Sequence, residues 1–223
     1  GGIFGYHALL FVAVRLAPPV EVNLLQYLWP LLIVVLTPVY LPRTHLSVHH
    51  VLGAVVGLAG AGLVLSGGRF SLEMAALPGY LLAVAAAFVW SSFSLLIKRV
   101  PPFATGAVGG FCLLSGLLSL GFCWIDRRLG FSSIPLVVSP MDWLFLLLLG
   151  LGPMGAAFYT WDAAMKRGDP RVIGALAYLT PLLSTLNLVV LGGRHLSNIA
   201  IAAMGLIVAG AILGSLDLFR RKA

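Results

Sequence analysis

The chain has 223 residues, of which 60% are hydrophobic and only 9% are charged. Soluble domains carry about 25% charged residues, so this composition excludes the soluble-enzyme, disordered, fibrous and disulfide-rich classes. The net charge of +7 could indicate a nucleic-acid partner, but no basic run exceeds Arg220-Arg221-Lys222 and none is interleaved with aromatic residues. We therefore expect a multi-pass membrane protein with basic loops and no nucleic-acid partner.

Eight apolar segments, designated A to H, predict membrane-spanning helices. Their apolar runs are continuous and do not alternate with polar residues, so helices are favoured over barrel strands. Most segments hold about 20 residues, the length that crosses a bilayer as a helix. In chain order they cover residues 1–16, 20–41, 50–67, 78–98, 103–125, 142–166, 171–192 and 197–218. The predicted fold class is an all-α membrane protein.

Lysine and arginine residues are distributed unequally between the two sides of the predicted bundle. Nine of them fall on the side that holds the C-terminus and five fall on the opposite side. Because cytoplasmic loops carry the excess of basic residues, we expect a cytoplasmic C-terminus in the cell (inner) membrane.

An offset of 151 residues aligns segments A and B with segments F and G. The run Tyr27-Leu28-Trp29-Pro30-Leu31-Leu32 then matches Tyr178-Leu179-Thr180-Pro181-Leu182-Leu183. Matched tyrosines and prolines are informative in a chain where leucine coincidences are common. We interpret the match as an internal repeat.

Segments C and H share a pair of glycines four residues apart. The pairs are Gly53 with Gly57 and Gly210 with Gly214. Glycines at this spacing let helix backbones approach closely in lipid. The pattern fits packing within the chain and packing in a dimer equally well.

The repeat predicts a ten-helix transporter fold. Segments D to H form one five-helix unit, and A to C correspond to the last three helices of an earlier unit whose first two helices are missing. On this interpretation residues 1–67 belong to the first repeat, 68–77 form the loop between repeats, and 78–223 form the second repeat. Two units of odd helix number insert with opposite orientations, which is the inverted-repeat pattern of secondary transporters.

Pro30 and Pro181 lie near the middle of segments B and G. A proline inside a helix removes a backbone donor and clashes with the preceding turn, so both segments should kink at similar depth. The carbonyl groups that a kink frees must face a cavity or a partner helix. The prolines therefore either shape a cavity or only shape helix packing.

These segments resemble the EamA-type drug/metabolite transporter superfamily, and most closely its aromatic amino-acid exporter-like members. The resemblance covers essentially the whole chain and is carried by Tyr27-Leu28-Trp29-Pro30, Trp161-Asp162, Lys166-Arg167-Gly168-Asp169 and Tyr178-Leu179-Thr180-Pro181. It implies ten helices, cytoplasmic termini and a central substrate cavity between the repeats.

Polar and aromatic side chains at mid-membrane depth are the candidate substrate-binding groups, because such residues within a span are costly unless they serve a function. The predicted set is Tyr6, His7, Asn23, Tyr27, Trp29, Trp90, Ser91, Tyr159 and Tyr178. Aromatic faces could hold a flat apolar solute, while hydroxyl and amide groups orient its polar end.

Few other residues are candidates for ion pairing, proton coupling or metal binding. Asp162 and Lys166 lie four residues apart, which fits either a local ion pair or a proton-coupling group. His45, His49 and His50 are predicted to lie in a solvated loop, with a metal site as the less favoured alternative. We expect no cofactor, no metal and no catalytic residue.

The sequence thus predicts a secondary transporter that exports small metabolites, with aromatic amino acids as the expected substrates, by alternating access. A permease for other drug-like or neutral metabolites is one alternative. The alternatives from other classes are an intramembrane enzyme, which requires a partner for His7, and a non-transporting scaffold, which requires no cavity. The expected partners are a small molecule and the lipid bilayer, and the oligomeric state is left open with a monomer allowed.

Overall fold

The computed structural model of the protein describes residues 2–68, 73–101, 103–129, 139–190 and 198–217. All regular secondary structure in these ranges is helical. The α-helices are α1 (Gly2–Leu16), α2 (Pro19–Gln26), α3 (Leu28–Tyr40), α4 (Val48–Ser66), α5 (Leu77–Leu96), α6 (Ala107–Arg128), α7 (Pro140–Leu151), α8 (Ala157–Arg167), α9 (Pro170–Ala177), α10 (Leu179–Val190) and α11 (Asn198–Gly214).

Five helical segments of the described chain are long and apolar enough to cross a membrane. They are Pro19–Tyr40, Val48–Ser66, Met74–Leu96, Ala107–Arg128 and Pro140–Arg167. Helices α1 and α11 are apolar but shorter. The all-helical membrane class is confirmed, whereas the count of eight spans and the ten-helix repeat stay predictions.

Segments B, F and G are interrupted rather than continuous. Helices α2 and α3 meet at a break at Tyr27, and α9 and α10 meet at a break at Tyr178. Each break lies three residues before a proline, where the missing proline N–H leaves one helical hydrogen bond unmade. Segment F is interrupted by a π-helical turn at Gly152–Ala156, which contains Pro153.

Helices α4 and α11 form the most extensive helix pair in the described structure. Their glycines face one another: a Cβ placed on Gly210 would lie 2.5 Å from the backbone nitrogen of Gly57 and 2.7 Å from the carbonyl oxygen of Gly53. The backbones are therefore in direct contact, as small residues allow in membrane helices. The glycine pairs fitted packing within the chain and packing in a dimer equally well, and the structure shows that they pack within the chain.

Helices α1 and α5 also pack through small residues. Ala13 and Ala83 are fully buried between them. A Cβ on Gly79 would lie 2.6 Å from that of Ala17. This contact joins the first helix of the chain directly to α5.

The prediction that His49 and His50 lie in a solvated loop is wrong. Both belong to the first turn of α4, because Ser47 caps the helix and its backbone N–H donates to Nδ1 of His50 at 3.3 Å. The two Nε2 atoms lie 3.1 Å and 3.2 Å from the carboxylate of Asp217, after α11. His50 is fully buried.

This histidine–aspartate group has the spacing of a metal site, with its ligand atoms within 4.8 Å of one another. Nδ1 of His50 accepts a hydrogen bond, however, so the neutral ring carries its proton on Nε2, the atom that faces Asp217. Arg171 adds a positive charge 3.9 Å from the same carboxylate. Both features favour a polar cluster of Arg171, Asp217 and the two histidines, which joins α4, α9 and α11, over a cation site.

Asp169 caps α9 and binds Arg171 through two charged hydrogen bonds. Its Oδ1 accepts from Nε of Arg171 at 3.0 Å and its Oδ2 accepts from Nη2 at 2.5 Å. Burial alone would raise the pKa of the Asp169 carboxyl, but the hydrogen bonds and charge of Arg171 hold that pKa below its usual range.

Replacing Gly210 by alanine should lower the unfolding temperature, because the new methyl group would force two helix backbones apart. Overpacking of this kind costs about 1–3 kcal/mol. The matched control is Gly205→Ala on the same helix, where an added Cβ meets nothing within 4 Å. That change should be neutral or stabilise by up to about 1 kcal/mol, since alanine favours helix. Thermal unfolding of the purified protein in detergent measures both, and equal effects would contradict the packing described.

Candidate functional site

The hydroxyl group of Tyr178 is inserted into the break between α2 and α3. In a regular helix the N–H of Leu31 would donate to the carbonyl of Tyr27. Here the Leu31 N–H donates to Oη of Tyr178 at 3.2 Å, and that hydroxyl donates to the Tyr27 carbonyl at 3.2 Å. Tyr178 is fully buried. A side chain from one helix break thus completes the hydrogen bonding of the other break.

An aromatic cluster, formed by Tyr6, His7, Trp29, Trp90, Phe93, Phe158 and Trp161, lies next to this break. Trp90 on α5 is its centre, with ring-centroid distances of 5.3 Å to Tyr6, 5.6 Å to Phe158 and 6.0 Å to Trp161. Trp29 packs edge-on against Trp161 at 5.3 Å. Distances of this size are typical of favourable aromatic pairs. The cluster therefore joins α1, α3, α5 and α8 around one ring.

Three side-chain hydrogen bonds fix the rim of the aromatic cluster. Gln26 Nε2 donates to Oη of Tyr6 at 2.7 Å, and Trp161 Nε1 donates to Oγ of Ser94 at 3.0 Å. Ser91 Oγ lies 2.8 Å from the carbonyl oxygen of Trp29, within donating distance. The same hydroxyl lies 2.7 Å from the carbonyl oxygen of Ala87 on its own helix, so its one proton goes to one of these two carbonyls.

The predicted binding residues fall into several groups. Tyr6, His7, Trp29 and Trp90 meet in the aromatic cluster, and Ser91 lies beside it. Tyr27 and Tyr178 mark the two helix breaks, each followed by its proline, Pro30 or Pro181. Tyr159 instead faces Gly109 on α6, and Asn23 has an exposed side chain. Their roles in substrate binding stay predictions.

Phe93 and Phe158 belong to the aromatic cluster and were not singled out from the sequence. Trp161 carries part of the family resemblance but is not among the predicted binding residues. Phe158 and Trp161 lie three residues apart and therefore share a helix face. That spacing could have pointed to both of them in place of Tyr159.

Two cavities of very different size lie near the aromatic cluster. A small cavity of about 10 Å³ lies against Trp90, Phe158 and Trp161, which is room for about one water molecule. A larger cavity of about 410 Å³ lies between α1 and α6 and reaches His7. The aromatic cluster is thus closely packed in this conformation, and the larger of these two cavities lies at its edge.

Asp162 and Lys166 form the ion pair that their spacing allows. Lys166 Nζ donates to Oδ2 of Asp162 at 2.7 Å and to the carbonyl of Phe103 at 2.8 Å, and it lies 3.5 Å from the centre of the Phe103 ring. Asp162 is almost fully buried. The lysine therefore ties α8 to the segment that precedes α6.

The fold is an all-helical bundle with several helices long and apolar enough to cross a membrane. Residues 77–216 match the EamA-like transporter family. The chain is 46% identical to the aromatic amino acid exporter YddG of Ancylobacter novellus over 218 residues, which cover 97% of this chain and 74% of that protein. The chain belongs to the EamA-like transporter family and is a multi-pass membrane protein.

Two further proteins show the same similarity. The aromatic amino acid exporter YddG of Salmonella typhimurium is 25% identical over 174 residues, which cover 74% of this chain and 56% of that protein. A solved crystal structure that is 44% identical superimposes with a TM-score of 0.89 and covers 100% of this chain and 75% of that one.

Replacing Tyr178 by phenylalanine should expose the Leu31 amide to exchange and lower the unfolding temperature. The change removes the bridging hydroxyl and leaves a buried donor and acceptor unpaired, at a cost of about 1–3 kcal/mol. Hydrogen–deuterium exchange of α3 and thermal unfolding measure the two effects. The control is Tyr40→Phe on α3, whose hydroxyl makes no hydrogen bond with the part of the chain described here. Unchanged Leu31 exchange in Tyr178→Phe would contradict the bridging role.

Proposed function

We propose that the protein is a secondary transporter that exports aromatic amino acids across the inner membrane by alternating access between two inverted repeats. The observation that carries the proposal is the pairing of two helix breaks, at Tyr27 and Tyr178, beside a cluster of aromatic side chains. The breaks are 151 residues apart, which is the offset of the sequence repeat. Similarity to proteins named aromatic amino acid exporters supports the substrate class.

Discontinuous helices are the usual binding elements of secondary transporters, because their free backbone groups face the substrate. In this conformation the break at Tyr27 is closed by Tyr178 and the aromatic rings pack against one another. We therefore assign the described arrangement to a closed state, in which substrate entry separates rings that now touch. Trp29 is well placed for this role, since it lies between the break and Trp90.

Two alternatives differ in what they require of His7. An intramembrane enzyme needs His7 paired with a carboxylate or a serine, but its Nδ1 lies 2.8 Å from the carbonyl oxygen of Ile3. Asp162 is bound by Lys166 instead. A permease for other neutral or drug-like metabolites would use the same aromatic cluster, and only a comparison of substrates separates it from the proposed exporter.

The charge distribution supports an orientation with the C-terminus in the cytoplasm. The loop before α4 contacts Arg171 through the carbonyl of His45, and Asp217 contacts the same arginine. These contacts place the loop before α4, the start of α9 and the end of α11 on one side, which is the side with more basic residues.

Replacing Trp29 by alanine should reduce phenylalanine and tryptophan flux to less than about a tenth, because loss of one stacking surface costs about 0.5–1.5 kcal/mol beyond the loss of buried area. Flux is measured with the full-length protein in reconstituted vesicles. The control is Trp143→Ala, which removes an exposed tryptophan near the start of α7 and should leave flux unchanged.

Flux of neutral metabolites but of no aromatic amino acid by the unchanged protein would contradict the substrate while sparing the transporter class. Equal flux in Trp29→Ala and the unchanged protein would contradict the role of the aromatic cluster.

A further inference from the structure

The cavity of about 410 Å³ between α1 and α6 is distinct from the aromatic cluster. Its lining residues recur at spacings of three and four, so they occupy one face of each helix. The side chains that matter here are Phe4, His7, Phe11 and Arg15 on α1, and Phe122 and Asp126 on α6. Its volume is within the range of small-molecule sites, about 300–1,000 Å³.

One end of this cavity carries Arg15, Asp126 and Arg127, of which Arg15 and Asp126 form a pair of opposite charges. Nη1 of Arg15 lies 3.6 Å from Oδ1 of Asp126. A direct charged hydrogen bond is shorter, about 2.7–2.9 Å, so Arg15 and Asp126 form an ion pair without a direct hydrogen bond. Half of the Arg15 side chain is exposed, whereas Asp126 is largely covered at 11%. The guanidinium therefore has donors available for a second acceptor.

Arg15 has no local carboxylate because of a difference between the two aligned segments. Under the 151-residue offset Arg15 matches Lys166, and Phe11 matches Asp162. Lys166 is neutralised by Asp162 on its own helix. Arg15 has Phe11 in that place and so pairs with Asp126 across the cavity instead.

The other end of the cavity is aromatic. Phe4, Phe11 and Phe122 line it together with His7, and the rings of His7 and Phe11 have centroids 5.9 Å apart. An apolar ring placed among them would gain both buried area and aromatic contacts.

We propose that this cavity binds a zwitterionic amino acid with an aromatic side chain. The carboxylate binds Arg15, the ammonium group binds Asp126, and the side chain lies among Phe4, Phe11 and Phe122. The two charges of the protein are adjacent, as are the two charges of an α-amino acid. The proposal rests on the proposed function for its substrate class, and it adds a second place where the substrate is held.

His7 links this site to the aromatic cluster. Its ring lines the cavity and also lies 4.7 Å from Tyr6 and 5.9 Å from Phe158. A substrate that leaves the cluster past His7 would therefore enter the cavity directly. The position of Arg15, on the side with fewer basic residues, makes the cavity the outward compartment of the proposed path.

Binding of radiolabelled phenylalanine to the full-length protein in phosphatidylcholine nanodiscs tests the site. Phenethylamine, which lacks the carboxylate, and 3-phenylpropionate, which lacks the ammonium group, serve as competitors. The unchanged protein should bind phenylalanine at least about ten-fold more tightly than either analogue, since each charged contact contributes a factor of this order. This comparison needs no variant.

Two variants, Arg15→Gln and Asp126→Asn, test which charged group of the ligand each residue binds. Arg15→Gln should weaken phenylalanine and 3-phenylpropionate about ten-fold and leave phenethylamine equal or tighter. Asp126→Asn should weaken phenylalanine and phenethylamine and spare 3-phenylpropionate. Arg15→Lys should restore part of the 3-phenylpropionate affinity. Arg128→Gln, an exposed arginine on α6 outside the cavity lining, is the control and should change none of the three.

Phenylalanine binding that both variants retain would overturn the site while leaving the proposed function intact. Absence of phenylalanine binding by the unchanged protein would overturn both. Phosphatidylethanolamine has a zwitterionic headgroup and apolar chains, so the experiment is repeated with that lipid. Equal phenylalanine affinity in both lipids supports the amino-acid site, and loss of binding in phosphatidylethanolamine would assign the cavity to lipid.

Discussion

A single buried hydroxyl group holds the centre of this protein together. Tyr178 stands where its own span is broken and places its hydroxyl between the N–H of Leu31 and the carbonyl of Tyr27. In lipid neither group has water as an alternative partner, so the bridge determines whether the break in α2 and α3 is tolerated. The ring of the same tyrosine packs against α4, where a Cβ on Gly57 would lie 2.6 Å from it. Three separate spans therefore depend on one side chain.

The other helix contacts surround the Tyr178 bridge. Helices α4 and α11 touch through glycines, and α1 and α5 touch through alanines and a glycine, so backbones on both sides are held close. Large aromatic side chains fill the space between α1, α3, α5 and α8. Charged residues lie at the helix ends, where Arg171, Asp169 and Asp217 join α4, α9 and α11. A proposed transport cycle would open the contacts between aromatic rings while the glycine contacts stay closed.

Composition and proline positions were enough to predict the membrane class and the disturbance of segments B and G, but not the π-helical turn in segment F. Glycine spacing identified the faces of α4 and α11, but only the structure shows that these faces meet each other. The sequence also indicated Tyr6, His7, Trp29 and Trp90, because aromatic and polar groups at mid-span are unusual. It did not reveal the partner of Arg15, since Asp126 is more than 100 residues away in sequence. It misplaced His49 and His50, because a helix that starts at a serine cap is hard to distinguish from a loop when its first turn is polar.

Exchange of substrate across the membrane tests the central claim of alternating access. The full-length protein is reconstituted in vesicles loaded with unlabelled phenylalanine, and a trace of labelled phenylalanine is added outside. A carrier whose site faces one side at a time should accumulate label transiently above its equilibrium level. Unlabelled internal phenylalanine competes with the entered label for the inward-facing site and returns that site, loaded, to the outside. Monotonic equilibration at a rate independent of internal phenylalanine would contradict alternating access.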